Sequence, residues 1–356
     1  MPKITTSFSN SLIFWYLQNK RDLPWRNEIQ PYRIWLSEII LQQTRVAQGL
    51  PYYSRFIKAF PTIFDLANAT EEQVLKLWQG LGYYSRARNL HITAKEIAFQ
   101  RDGKFPETYK DLLTLKGVGD YTASAIASIC FNEPTAVVDG NVYRVLSRIF
   151  GIETAINSGK GIKEFKLLAQ ELIDRDRPGT FNQAIMEFGA RFCVPQNPKC
   201  TECIFANQCE ALRQRKVNML PVKIRKQKIK ERHFNYLVMI SEEEQATLLK
   251  QRKDKGIWQN LYEFPLIETA SEVSWNEIND SEAFKNFSEV NKIEEVILYN
   301  EKPVIHKLSH QHLYTKFWVI KSSAQIEKPV PISELRKYPV PVLIENFISE
   351  FSPFQN

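Results

Sequence analysis

The chain has 356 residues, which suits two domains better than one. Its hydrophobic fraction of 44% is ordinary for a globular protein, and 47 Lys and Arg against 40 Asp and Glu give a formal net charge of +7, which leans toward a polyanionic partner such as nucleic acid. No apolar run approaches the ~20 residues of a membrane-spanning helix.

In chain order, "LIFWYL" (12–17) is short, is followed at once by "QNKRD", and has no small-residue cleavage site. It reads as the apolar face of a first helix and not as a signal peptide. The expected compartment is the reducing cytoplasm, where disulfides are rare. Residues 1–215 read as mostly helical. Apolar residues recur at three and four spacing in 32–46, 71–98 and 121–131, with breakers at Pro51, Pro61, Gly80, Gly82, Pro106, Gly117, Gly119, Pro134, Pro178 and Gly179.

Glu38 sits among Trp35, Leu36, Ile39, Ile40 and Leu41. An acid on so apolar a helix is partly desolvated, which raises its pKa and suits a general acid; the plain alternative is a surface Glu on the polar side. Helical spacing places Gln42 on the face of Glu38 and rotates Gln43 away. In "LKGVGDYTASAIAS" (115–128), Gly117 and Gly119 flank a tight hairpin that ends on a helix N-terminus. The exposed N–H groups there can hold a phosphate, although any helix–turn–helix corner looks the same. In "VVDGNVYRVLSRIF" (137–150), Asp139 precedes a stripe of Val142, Val145, Leu146 and Ile149. It is a helix cap, and also an anion able to face a developing cation.

Cys193, Cys200, Cys203 and Cys209 fall within seventeen residues, spaced C-x6-C-x2-C-x5-C. Such crowding points to metal ligation rather than cross-linking. Zinc usually takes two C-x2-C knuckles and only one is present, so a four-thiolate iron–sulfur cluster fits better, with zinc and free thiols as alternatives. Cys130 ends a small apolar run and reads as a buried hydrophobe. The stretch 220–232 carries six basic residues and one acid and reads as a basic linker. Beyond it, β-type runs at 234–240, 294–300 and 314–320 predict a separate α+β domain. His306 and His312 lack a Cys or acid to complete a zinc set.

Taken together, an apolar helix with Glu38, a Gly-x-Gly hairpin, an Asp at a helix start and a four-cysteine loop resemble the helix-hairpin-helix glycosylases of base excision repair. With "SEIILQQT" (37–44), "GLGYYSRARNL" (80–90) and a second domain, the likeness is to the MutY family of adenine DNA glycosylases. It covers nearly the whole chain. It implies a mostly α N-terminal domain over 1–219 with one four-iron, four-sulfur cluster on the four cysteines, the linker at 220–232, and an α+β Nudix-like domain over 233–356. It implies monofunctional removal of adenine opposite 8-oxoguanine or guanine in duplex DNA, by a monomer. Glu38 becomes the acid that protonates the base and Asp139 the carboxylate that stabilises the oxocarbenium ion or captures it covalently, with Tyr121 and Asn141 in support. Trp25, Arg26 and Gln183 fall to the adenine pocket. Gln43 and Tyr83 fall to the wedge that fills the base stack, Arg21, Thr44 and Leu81 are further substrate- or DNA-binding positions, and Gly117 and Gly119 fall to the backbone. Leu308, Ser309 and His310 stand where the family has a Phe-Ser-His loop that reads 8-oxoguanine; Leu cannot stack as an aromatic does. The Glu-rich helix of hydrolytic Nudix enzymes is absent from 256–300, so that domain is expected to bind and not to hydrolyse. A lyase of the endonuclease III type needs a lysine amine where this chain has Tyr121. A non-catalytic DNA-binding iron–sulfur protein would not need both Glu38 and Asp139.

Overall fold

The computed structural model describes residues 2–224, 229–241, 243–322 and 326–355, so residues 225–228 of the basic linker lie outside the described residues. The chain divides into two compact units. One comprises Met1–Asn68 and Asn89–Arg225, the other Ala69–Arg88 and Lys226–Asn356.

The first unit is built of helices. The helix Pro31–Leu41 starts with a proline that has no N–H to leave unpaired, and every residue from Ile34 to Ile40 is buried. A helix that is buried all round belongs in the middle of a core, and it takes Glu38 there with it. It stops at Leu41. Gln42 has left helical geometry (φ −56°, ψ 120°), and Gln43 is in the left-handed region at φ 57°. Gln42 keeps a helical φ, so its side chain still leaves on the side of Glu38, lines the same cleft and donates to Thr122 Oγ1 at 3.2 Å. Gln43, expected to be rotated away, lines that cleft too, because its left-handed backbone departs from helical spacing.

The glycine hairpin runs from Leu115 into the helix Asp120–Phe131. Gly117 has φ +75°, and a Cβ there would come within 2.7 Å of Asn89 Cβ, so only glycine fits. The helix Gly140–Phe150 turns the stripe Val142, Val145, Leu146 and Ile149 into a core shared with Phe8, Trp15, Phe165, Phe181 and Phe188. Phe205, from inside the cysteine loop, enters the same core at 1% exposure. It stacks on Phe8 with centroids 4.9 Å apart and meets Phe188 edge-on at 5.5 Å.

The second unit centres on a parallel pair of strands, Lys230–Ser241 and Gln311–Ser322, in register from Lys230 opposite Gln311 to Ile240 opposite Lys321. Strands Ile293–Leu298 and Val304–Lys307 join the second of these antiparallel, and Leu266–Thr269 joins the first. The run predicted to start at 234 therefore begins at Lys230, inside the segment read as linker. The helix Glu282–Val290 covers one face through Phe284, packed with Leu237, Ile267 and Trp318. The helix Val342–Glu350 brings Phe347 flat against Phe317, 4.2 Å between centroids.

The helical pattern read over 71–98 is broken in two, Glu71–Trp78 and Ser85–Gln100. The first piece belongs to the second unit. Gln79 donates to Glu345 Oε2 at 2.7 Å and Lys76 Nζ to the Tyr338 carbonyl at 3.0 Å. No helix among the described residues is long and apolar enough to cross a membrane.

Phe205→Ala should cost about 3–5 kcal/mol, the usual loss for a fully buried phenylalanine. Thermal unfolding followed by circular dichroism checks this, and an unchanged midpoint would show that the loop does not depend on its anchor.

Candidate active site

Glu38 and Asp139 line one cavity of about 150 Å³, with Arg21, Trp25, Arg26, Thr44, Tyr121, Asn141, Gln183, Met186 and Glu187. Glu38 is 7% exposed. The Tyr121 hydroxyl donates to its Oε2 at 2.7 Å and also lies 3.1 Å from Met186 Sδ. Burial drives the Glu38 carboxyl up. The Tyr121 bond opposes this, the charge of Asp139 adds to it, and the result is a pKa of about 7. Asp139 is placed differently. It caps the helix Gly140–Phe150 with Oδ1, accepting from the N–H of Asn141 and Val142 at 2.8 Å each, and its Oδ2 accepts from Asn141 Nδ2 at 2.8 Å. Burial pushes Asp139 upward as well; these three N–H donors and Arg144 pull against it, but burial is the larger effect and its pKa stays above the ordinary carboxylate value.

The pocket wall has a clamp that sequence reading missed. Glu187, 1% exposed, accepts from Arg21 Nε at 2.7 Å, Arg21 Nη2 at 2.6 Å and Arg26 Nη2 at 2.9 Å. Burial would raise this carboxyl, yet the two guanidinium groups hold it at about 2. Arg26 lies 5.4 Å from the Tyr16 ring centroid, and the Tyr16 hydroxyl donates to Gln183 Oε1. Trp25 is buried edge-on against Tyr53, 4.9 Å between centroids. The available signal was spacing: Gln183 and Glu187 are four apart on the helix Pro178–Arg191 and share a face.

The four cysteines line one cavity with Arg148, Phe188, Phe192, Pro198 and Leu212. Burial pushes the Cys203 thiol up to about 11, and Cys193, Cys209 and Cys200 each add to the rise, so all four are within electrostatic reach of one another. The Phe205 N–H points at Cys203 Sγ (3.4 Å) and Arg148 Nη1 at Cys193 Sγ (3.5 Å). Among the described residues no three His, Cys, Asp or Glu side chains are gathered tightly enough to hold a single metal ion. Arg144 joins this loop to the carboxylates. It donates to the Cys193 carbonyl at 2.7 Å, the Gly189 carbonyl at 2.6 Å and Asn141 Oδ1 at 2.9 Å.

An open cleft of about 1110 Å³ runs past Glu38 and Asp139 and is lined by Gln43, Thr44, Gly119, Tyr121 and Asn141. Nothing stands within 4 Å of a Cβ built on Gly119, so the backbone there is open to close approach. Gly117 shapes the turn behind it. Leu81, Tyr83, Leu308, Ser309 and His310 lie in the second unit. They line a separate cavity of about 520 Å³ with Arg88, Trp258 and His306. Tyr83 Oη and Ser309 Oγ are 2.5 Å apart there, and Trp258 packs on His306 with centroids at 5.7 Å.

The HhH-GPD superfamily base excision DNA repair protein profile matches residues 36–171, and a NUDIX domain profile matches 235–350. The adenine DNA glycosylase of Buchnera aphidicola subsp. Baizongia pistaciae is 35% identical over 90% of this chain and 88% of its own length; that of Buchnera aphidicola subsp. Acyrthosiphon pisum is 32% identical over 92% and 96%. Human adenine DNA glycosylase is 47% identical over 58% of this chain but only 39% of its own length, and the rat and mouse proteins are each matched over 42% of theirs. The chain thus spans about two-fifths of the mammalian relatives it matches. Among solved structures, a thermostable thymine-DNA glycosylase superposes with a TM-score of 0.55 at 28% identity, covering 60% of this chain and 98% of that one. An endonuclease III–DNA complex gives 0.52 at 19% over the same shares, a likeness of fold. With relatives matched nearly end to end above 30% identity, the chain belongs to the adenine DNA glycosylase family.

Proposed function

We propose that the chain is a monofunctional DNA glycosylase that removes adenine mispaired with 8-oxoguanine or guanine in duplex DNA. The observation that carries this is a buried glutamic acid with a pKa of about 7, sharing a cavity with an aspartate that accepts three N–H bonds. Glycosyl cleavage needs one protonated and one charged carboxyl in unlike surroundings. The adenine leaves the duplex to reach Glu38. Glu38 gives its proton to the base, the glycosidic electron pair leaves with it, and Asp139 stabilises the oxocarbenium ion. Water adds to C1′ and returns a proton to Glu38. Trp25, Arg26 and Gln183 border the base, while Arg21 is held in place by Glu187. Tyr121 and Asn141 orient the two carboxyls. Tyrosine has no amine with which to form the imine that strand cleavage requires, so base removal stands alone.

The cysteine loop fits one four-iron, four-sulfur cluster. Four thiols share one cavity, and the N–H and guanidinium donors aimed at Cys203 and Cys193 suit thiolates. Cys193, Cys200, Cys203 and Cys209 would hold it, and its part is to fix the loop. In the second unit, Ser309 and His310 make the polar contacts to 8-oxoguanine, and Tyr83 is a wedge that fills the base stack; in the first unit, Gln43 is a wedge residue as well. The open backbone at Gly119 and the turn at Gly117 receive a phosphate.

Glu38→Gln should abolish adenine release in single-turnover assays, a loss of at least ~10²–10⁴-fold, while affinity for the duplex persists. In the wild type, release should fall as pH rises through about 7, because the proton to be donated is lost. The same substitution should stabilise the fold above neutrality. A carboxyl whose pKa rises from 4.5 to about 7 on folding costs stability progressively across that interval, on the order of 3 kcal/mol once fully ionised, and glutamine removes that cost. Asp139→Asn keeps the cap and so the stability, yet should disable release. Near-normal activity in Asp139→Asn would reduce Asp139 to a helix cap and sink the mechanism.

Purified protein should carry about four iron atoms per chain with a broad visible absorption, and Cys203→Ser should lose both. Zinc without iron in elemental analysis would overturn the cluster. Ser309→Ala should lower the preference for 8-oxoguanine over guanine about three- to tenfold, the scale of one hydrogen bond, with adenine release from A·G duplexes unchanged. Equal losses on both duplexes would remove Ser309 from lesion reading.

A further inference from the structure

Tyr83 is held in a conformation that tyrosine does not choose. Its φ is 50°, it follows Gly82 at φ 75° with Gly80 at φ 91°, and its side chain is 49% exposed. A bulky residue in the left-handed region needs its surroundings to hold it there. The surroundings are Trp78 and Arg86. Trp78, fully buried, donates its indole N–H to the Gly82 carbonyl at 2.9 Å, and Arg86 Nη2 donates to the same oxygen at 3.2 Å. The Arg86 guanidinium carbon lies 5.1 Å from the centroid of Trp78 and 5.4 Å from that of Tyr83. One planar cation therefore contacts both rings and pins the carbonyl that precedes Tyr83 in the chain. Lysine cannot do this, because a compact ammonium has no plane to stack while it donates. Burial lowers Arg86 to about 10, which leaves it charged at neutral pH.

We infer that Arg86 is a positioning residue that presents Tyr83 as a preformed wedge for the stacked bases beside the mispair. This rests on the glycosylase reading above. Preforming matters because a tyrosine already held outward, with Ser309 against its hydroxyl, loses little freedom on entering the stack. The indole of Trp78 is the floor on which the cation rests, so the chain from buried core to exposed ring is continuous.

The test uses the full chain and a duplex with adenine opposite 8-oxoguanine, carrying 2-aminopurine next to the lesion. Affinity, 2-aminopurine fluorescence and single-turnover release at saturating protein are measured for wild type, Tyr83→Ala, Arg86→Met, Arg86→Lys and the Tyr83→Ala/Arg86→Met double variant. Losing one stacked aromatic should weaken binding by on the order of tenfold. Arg86→Met should match Tyr83→Ala within about threefold in both affinity and fluorescence, and the double variant should be no worse than Tyr83→Ala, since non-additivity marks two residues acting through one contact. Arg86→Lys should lie between wild type and Arg86→Met. Additive losses in the double variant, or wild-type fluorescence in Arg86→Met, would overturn the inference. If Arg86→Met fails to fold by circular dichroism, Arg86→Lys decides in its place: fluorescence and affinity equal to wild type would overturn it. A wild type that releases no adenine would sink the glycosylase reading, while the binding and fluorescence arms still decide the role of Arg86.

Discussion

A single buried guanidinium ties the chemistry of the first unit together. Arg144, 8% exposed, satisfies the carbonyls of Cys193 and Gly189 and the side-chain oxygen of Asn141. One turn later Arg148 donates to the carbonyls of Val194 and Pro195. The two lie four residues apart on one face of the helix Gly140–Phe150, and the opposite stripe is locked in the core. The helix can neither slide nor turn without breaking one side or the other. Asp139, at its first turn, inherits that fixity, and so does Asn141, which bonds both Asp139 and Arg144. A cysteine loop far along the chain thereby fixes where a carboxylate points.

The carboxyls differ because their donors differ. Both are buried, and burial alone would raise both. Asp139 is met by two backbone N–H groups, an amide and a nearby guanidinium, all of which favour the anion and limit, without cancelling, the rise that burial causes. Glu38 is met by one tyrosine hydroxyl, too little to offset desolvation, and the neighbouring aspartate charge makes its ionisation costlier still. The pair is a division of labour set by hydrogen-bond count, on two helices whose local sequences dictate it: an apolar run around Glu38, and a start signal at Asp139.

Those local features were legible in the sequence. The flanking hydrophobes foretold the burial of Glu38, the stripe after Asp139 foretold its cap, and the cysteine spacing foretold one shared cavity. What stayed hidden depends on partners distant along the chain. The Glu187 clamp joins residues 166 apart, and nothing near Arg21 announces it. Gln43 was misplaced because helical spacing was carried past the end of the helix, where a left-handed residue returns it to the cleft of Glu38. Cys130, read as a small buried hydrophobe, is only half-buried, though desolvation still drives its thiol to about 12.

The segment 69–88 shows why a boundary drawn from composition misses a folding unit. Its helical pattern matches its neighbours in sequence, yet its polar groups find their partners around Asn260, Tyr338, Val340 and Glu345. Arg88 adds a bond to the Gln259 carbonyl at 2.9 Å, directly after Trp258. Tyr83 and the Leu308–His310 loop belong to one unit and line one cavity, with Tyr83 Oη and Ser309 Oγ 2.5 Å apart. Leu308 offers no ring, but its cavity is not short of aromatic surface, since Tyr83, Tyr84, Trp258 and His306 all face it. The flat surface of this cavity comes from residues other than 308. Ser309 and His310 line the same cavity, so their polar groups stand beside flat faces supplied from elsewhere in the unit.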